Sequence, residues 1–148
     1  MRKSSIILTV FSVLLPLAFA GSLAGCEAPG VGDPCDPEQI PQGGFNPSES
    51  YLETSSVQCR TRVCMVYELA GIPQRTNEEC NPATELNCAG VAETEQRVYC
   101  TCRCDAPSTS TATLCDCPDG FSCQDVVVLE GAGDGIRGSY CVDNRTLM

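Results

Sequence analysis

Val98-Tyr99-Cys100-Thr101-Cys102-Arg103-Cys104 is the stretch on which the fold turns. In extended chain, residues two apart share a face. Val98, Cys100, Cys102 and Cys104 therefore fall together, with Arg97, Tyr99, Thr101 and Arg103 on the other side. Cysteines two apart on one strand rarely bridge each other. Three cysteines on one face thus require three different partners. The stretch is predicted to be the hub of a disulfide network. The fold class that follows is small, disulfide-rich and mostly β, with short hairpins stapled by about six disulfides and little helix.

Working outward, residues 57–67 alternate Val57, Cys59, Thr61, Val63, Met65 and Tyr67 with Gln58, Arg60, Arg62, Cys64 and Val66. That period of two predicts a strand. Cys59 and Cys64 are five apart and would face opposite sides of an unbroken strand, so the chain must turn over 60–63 if they bond to each other. Residues 71–90 are polar and carry Cys80 and Cys88; Asn81-Pro82 starts a turn, and 83–87 could form one helical turn. After a Ser/Thr-rich loop over 107–113, Cys115-Asp116-Cys117 places two more cysteines on one face, and Cys123 follows. Residues 125–130 and 136–142 read as two strands joined by Gly131-Ala132-Gly133-Asp134-Gly135, a loop suited to positive φ angles. Cys141 anchors the second strand of this terminal hairpin.

The cysteine count decides the compartment. There are 13 cysteines in 148 residues, an odd number. Met1-Arg2-Lys3 is a positive start, and the apolar run over 6–20 is shorter than the roughly 20 residues of a membrane span. Pro16 also interrupts it. This is the form of an export signal. Setting Cys26 aside leaves Cys35, Cys59, Cys64, Cys80, Cys88, Cys100, Cys102, Cys104, Cys115, Cys117, Cys123 and Cys141, which can all pair. Cleavage after Ala18-Phe19-Ala20 is the rival reading. It would leave an odd thiol in an oxidising compartment.

Removing residues 1–25 leaves 123, with no Trp, no His and no Lys. Phe45, Tyr51, Tyr67, Tyr99, Phe121 and Tyr140 are the remaining aromatics. So few large side chains offset little of the ordering entropy, roughly 1.5 kcal/mol per residue. Disulfides at about 2–4 kcal/mol each make up the difference by restricting the unfolded chain. Loss of Arg2 and Lys3 takes the formal charge from −10 to −12. An acidic surface of this kind repels nucleic acid and anionic lipid headgroups, and no nucleic-acid partner is expected.

Residues 27–54 are rich in Pro, Gly and acid, without apolar period, and read as an extended tether. Cys35 lies inside it and, if bonded, would tie it to the domain. Leu23-Ala24-Gly25-Cys26 resembles a bacterial lipobox, and on that resemblance the expected organisation is a signal peptide at 1–25, a lipidated N terminus and tether at 26–54, and a cysteine-rich β domain at 55–148.

Candidate chemistry is sparse. As thiolates, the cysteines from Cys100 to Cys117 could hold a soft metal such as Cu(I) or Zn(II), and a metal-binding thiolate protein is the alternative reading. Single-residue spacing is tighter than in structural zinc sites, and no His is present. No metal ligand and no cofactor are therefore assigned. No C-x-x-C occurs to support a redox role. Asp116, Asp119, Asp125 and Asp134 lack EF-hand spacing. A hydrolytic nucleophile needs a positioned base, and none stands in a recognisable pair, so no catalytic residue is assigned and no enzyme is expected. Asn144-Arg145-Thr146 matches a glycosylation sequon that an exported bacterial chain would not use.

Leu23-Ala24-Gly25-Cys26 resembles the lipobox of bacterial lipoproteins. The resemblance implies cleavage between Gly25 and Cys26, lipid on the Cys26 sulfur and acylation of the new amine. Glu27, in place of the aspartate that signals inner-membrane retention in many such proteins, implies the outer membrane. Residues 115–121 resemble the C-x-C-x-x-G-aromatic turn of epidermal-growth-factor-like modules over seven residues, and then depart from it at Cys123. With Tyr99 to Cys104 and Gly138-Ser139-Tyr140-Cys141-Val142, the C-terminal half resembles small cysteine-rich lipoproteins of myxobacteria and their relatives. That resemblance implies a membrane-anchored structural, adhesive or binding role, with an envelope protein or glycan as partner.

Overall fold

The alternation that starts at Val98 produces extended chain in two pieces, and their division sets the architecture. The computed structural model describes residues 29–76, 87–127 and 133–148. β1 (Ser50–Glu53), β2 (Val63–Tyr67) and β3 (Val98–Thr101) form one antiparallel sheet in the order β1-β2-β3. β4 (Arg103–Asp105), β5 (Phe121–Val127) and β6 (Gly138–Asp143) form a second, in the order β4-β6-β5. Cys102 sits between β3 and β4, so one continuous stretch serves as a strand in both sheets. At this crossing the Cys141 amide donates to the Cys102 carbonyl at 3.1 Å, and the Thr101 hydroxyl donates to the Cys141 carbonyl at 2.7 Å. The fold is mostly β and disulfide-rich, with one short α-helix, α1 (Val91–Arg97), among the described residues.

The period of two distributes the core onto both faces of the first sheet. Cys64 and Val66 of β2 and Val98 and Cys100 of β3 face a cluster with Cys35, Phe45, Cys59, Leu69 and Ala89. Met65 and Tyr99 face the other way, where they meet Tyr140 and Val142 of β6, with Phe121 packed against them. This second cluster joins the two sheets. Tyr99 and Phe121 meet edge to face with centroids 5.4 Å apart, a favoured aromatic geometry.

Five disulfides lie among the described residues: Cys35–Cys64, Cys59–Cys100, Cys102–Cys115, Cys104–Cys123 and Cys117–Cys141. Cys88 is also disulfide-bonded. Cys80 lies outside the described residues, as do Gly25, Cys26 and the whole signal segment. Cys100, Cys102 and Cys104 take three different partners. The chain also uses one stapling pattern twice. Cys64 and Cys100 stand opposite each other across β2 and β3, yet each bonds to a cysteine elsewhere; Cys123 and Cys141 do the same across β5 and β6. Among Cys35, Cys59, Cys64 and Cys100 the first joins the third and the second joins the fourth, and the same order holds among Cys104, Cys117, Cys123 and Cys141, with Cys102–Cys115 standing outside it. The backbone ladder already holds the facing strands together, so each of these bridges adds a constraint that the ladder lacks.

Four expectations change. The segment over 29–54 is not an extended tether but part of the domain. Cys35 is bonded to Cys64, Phe45 is buried, and β1 pairs with β2 over Ser50↔Tyr67 to Glu53↔Cys64. Composition misleads here because the turns that Pro and Gly supply are those needed to wrap this segment over the sheet. At Gly44 (φ +90°) a Cβ would lie 2.4 Å from the Gly71 backbone, where Phe45 and Gly71 exchange hydrogen bonds of 2.8 and 2.9 Å.

The strand expected over 57–67 begins only at Val63. The chain turns first, with the Arg62 amide donating to the Cys59 carbonyl at 2.9 Å and Arg62 at φ 65°. That turn sends Cys59 and Cys64 to different partners rather than to each other. The expected strand from Arg97 is preceded by α1, where Glu93 and Arg97 pair at 3.7 Å across i,i+4 spacing, and Thr94 is buried and its hydroxyl accepts from the Gln74 amide at 3.1 Å. The helical turn expected over 83–87 falls, apart from Asn87, outside the described residues. The terminal hairpin is present, its first strand starting at Phe121 rather than 125.

Candidate functional site

The cysteines that the sequence singles out come together as two sulfur clusters. Around the first sheet, the Sγ atoms of Cys35, Cys59 and Cys100 lie within 4.8 Å of one another. Around the second, Cys141 is central: its Sγ is 3.8 Å from that of Cys102 and 3.9 Å from that of Cys115. Cys104, Cys117 and Cys141 form a further group within 4.8 Å. Thiolate separations of this size suit a soft metal. Every one of these sulfurs is, however, in a disulfide, which offers no anionic sulfur. Metal binding at either cluster would first require reduction.

The buried guanidinium of Arg103 braces the second sheet. Its ring-facing side lies over Tyr140 at 5.6 Å, and its Nε donates to the Tyr140 hydroxyl at 3.2 Å. The remaining donors meet the carbonyls of Asp134, at 3.3 Å, and Gly135, and the Ser110 hydroxyl at 3.3 Å. Carbonyl oxygens thus satisfy a cation that is only 8% exposed, which is what a buried charge requires. One side chain fixes both the 107–110 loop and the turn before β6.

A groove of about 620 Å³ lies between the 37–41 segment and β1. Ile40, Phe45, Tyr51 and Leu52 supply its apolar lining, and Phe45 and Tyr51 meet edge to face at 4.8 Å. Its charged residues are Glu38 and Glu53, both acidic, and the Glu38 amide donates to the Glu53 carboxylate at 3.1 Å. Sequence reasoning missed this groove because it placed both walls, 37–41 and β1, in a tether. Aromatic surface beside carboxylates can take an extended peptide or a sugar face, with a preference for cationic groups.

Tyr99 links the seam to the C terminus. Its hydroxyl accepts from the Asp143 amide at 3.0 Å. Asp143 in turn holds Arg145 through its carboxylate at 2.5–3.0 Å, and the guanidinium keeps that carboxyl below its ordinary value. Burial pushes the Tyr99 phenol well above its ordinary value of 10. Folded Tyr99 therefore keeps its proton where an unfolded tyrosine has released it. The stability it contributes is intact below pH 10 and falls as pH rises beyond that. The expected result is a lower denaturant midpoint at about pH 11 than at about pH 8, with a smaller decrease in Tyr99→Phe. An equal decrease in both proteins would count against this assignment.

Among the described residues no helix is long and apolar enough to cross a membrane. Comparison with protein-family models, curated proteins and solved structures finds no match.

Proposed function

We propose that this chain is a lipoprotein of the bacterial outer membrane, anchored through lipid on Cys26 and cleaved after Gly25, with a structural or adhesive role. The observation that carries the reading is cysteine parity beside a lipobox. Five bridges and Cys88 account for eleven of the 13 cysteines. The reading gives Cys80 to Cys88 and leaves Cys26 for the lipid. The disulfide frame suits life outside the cytosol, where thiols stay oxidised. Several acyl chains on one residue, at about 0.8 kcal/mol per buried methylene, hold a protein on a bilayer where a single chain would not. The groove beside Tyr51 offers a place for a protein or glycan of the envelope, and no enzymatic role is proposed.

Cys26→Ser is expected to abolish acylation and cleavage at residue 25, moving the protein out of the membrane fraction. Mass measurement of the mature N terminus checks both. A mature chain starting at Gly21, without acyl groups, would overturn the reading. The sulfur clusters favour one second reading, a soft-metal protein. A free-thiol titration of the denatured protein separates the two: close to zero supports the disulfide frame, and several free thiols support the metal site.

A further inference from the structure

We infer that the open edge of β1 and the groove beside it take an extended peptide segment carrying an arginine or lysine, added to the first sheet as a fourth strand. The inference rests on the binding role proposed above, which it narrows to one partner chemistry, and makes no use of the lipid anchor.

The first observation is the strand edge. Among the described residues β1 pairs with β2 on one side and with no strand on the other. The Glu68 amide donates to the Glu49 carbonyl at 3.2 Å. Antiparallel alternation from that bond turns the backbone of Tyr51 and Glu53 toward β2 and that of Leu52 outward. Among the described residues nothing bonds the outward amide or carbonyl of Leu52. A bare edge of this kind is a template for one more strand.

The second observation is a groove built before any partner arrives. Its outer wall, 37–41, is held at both ends. Cys35 is bridged to Cys64, Asp36 exchanges hydrogen bonds of 2.9 and 2.6 Å with the Gln58 side chain, and the Gly44 amide donates to the Pro41 carbonyl at 2.9 Å. Phe45, Cys64 and Val66, all buried, contribute to the lining. Ile40 lines it too, yet is left 45% exposed. Such a rigid apolar slot beside an open edge receives alternate side chains of an added strand.

The third observation is charge. Glu38 and Glu53 line the groove, and Glu49 accepts the Tyr51 hydroxyl beside it at 2.8 Å. None of the three carboxylates forms an ion pair; Glu53 accepts only the Glu38 amide. The arginines nearest in the chain are engaged elsewhere, Arg75 with Asp36 at 2.9 Å and Arg62 with the Ser55 carbonyl at 3.2 Å. A cationic side chain matches these carboxylates while its methylene stem covers the apolar lining. A neutral sugar would cover the rings but leave the carboxylates and the Leu52 backbone unmatched. A second copy of this chain, with net charge −12 after residue 25, brings the wrong sign.

The test uses the acylated mature protein in phosphatidylcholine nanodiscs, whose lipid carries no net charge to attract the probe. The probe is a dye-labelled peptide, acetyl-Thr-Arg-Thr-Val-Thr-amide. Laid antiparallel on β1, its central threonine stands opposite Leu52, its arginine opposite Glu53 and its valine opposite Tyr51. Fluorescence anisotropy is expected to show saturable binding. Methylating the central backbone nitrogen removes the donor for the Leu52 carbonyl and is expected to weaken binding about tenfold. Citrulline in place of the arginine, or Glu38→Gln with Glu53→Gln in the protein, is expected to weaken it roughly fivefold. Glutamine keeps an acceptor for the residue-38 amide, so the wall stays in place. No binding at millimolar peptide, or binding indifferent to the methyl group or to the charge changes, would overturn the inference and leave the anchor intact. Tighter binding of the neutral sugar chitotetraose than of the peptide would also overturn it, while keeping a binding role. Mature protein whose mass lacks acyl groups would overturn the anchor, and the same titration of that protein in solution then decides this inference.

Discussion

Replacing Cys59 and Cys100 together by alanine is expected to lower the unfolding free energy by about 4 kcal/mol. The bridge closes a separation of 41 residues, against 13 for Cys102–Cys115. Loop-closure entropy rises with the logarithm of length, so the shorter bridge contributes about 3 kcal/mol. Position reinforces the difference. Cys59 and Cys100 are essentially buried, and the loop that Cys59 pins carries the hydrogen bond to Pro29. The ladder between β2 and β3 survives the change, but the loop that bonds Pro29 loses its covalent hold. Both cysteines must be changed at once, because a lone thiol within 4.8 Å of Cys35 could attack the neighbouring disulfide. Guanidinium midpoints for the two double variants provide the measurement. A larger loss from the Cys102/Cys115 pair would refute the entropic account of the frame.

Tyr99→Ala is expected to cost about 4 kcal/mol or more, and in a small domain of marginal stability that is enough to unfold much of the population at 37 °C. The ring is 1% exposed and contacts both sheets. Its removal opens the cluster with Met65, Tyr140 and Val142 and orphans the buried Asp143 amide, a penalty of about 1–3 kcal/mol in itself. Tyr99→Phe keeps the ring and loses only the acceptor, so it should cost about 1–2 kcal/mol. Thermal or chemical melts of the pair separate packing from hydrogen bonding. Similar losses in both variants would show that the hydroxyl, not the ring, joins the sheets.

The alternation of Val98 to Cys104 was readable because strand period is a local property. A two-residue repeat declares which side chains share a face before anything is known of their neighbours, and Val98 and Cys100 do face one cluster while Tyr99 faces the other. The C-terminal hairpin was readable for the same reason. The helix at Val91–Arg97 left a faint trace in the Glu93 and Arg97 spacing, but at seven residues it is too short to be held by its own propensity. The packing of Thr94 under Gln74 and the bonds from Arg97 to the carbonyls of Tyr67 and Glu68, each at 3.3 Å, hold it instead.

The groove was invisible for a related reason. Residues 29–54 have the composition of a spacer, and what makes them structure is contact with chain far away: Cys35 with Cys64, Phe45 with Gly71, and the Asp36 carboxylate with Arg75 at 2.9 Å. Pro and Gly describe how a segment can bend. They do not say whether anything waits to receive it.

By itself, then, the order of amino acids determined that this chain is a mostly β, cysteine-stapled domain with three outgoing bridges at its hub, because side-chain alternation and the shortage of large apolar groups act along the chain. Which cysteine meets which, and the crossed stapling shared by the β2–β3 and β5–β6 pairs, were decided only in three dimensions. A bridge forms where two Cα atoms come within about 4.4–6.8 Å, and that separation depends on how two sheets share one strand at Cys102.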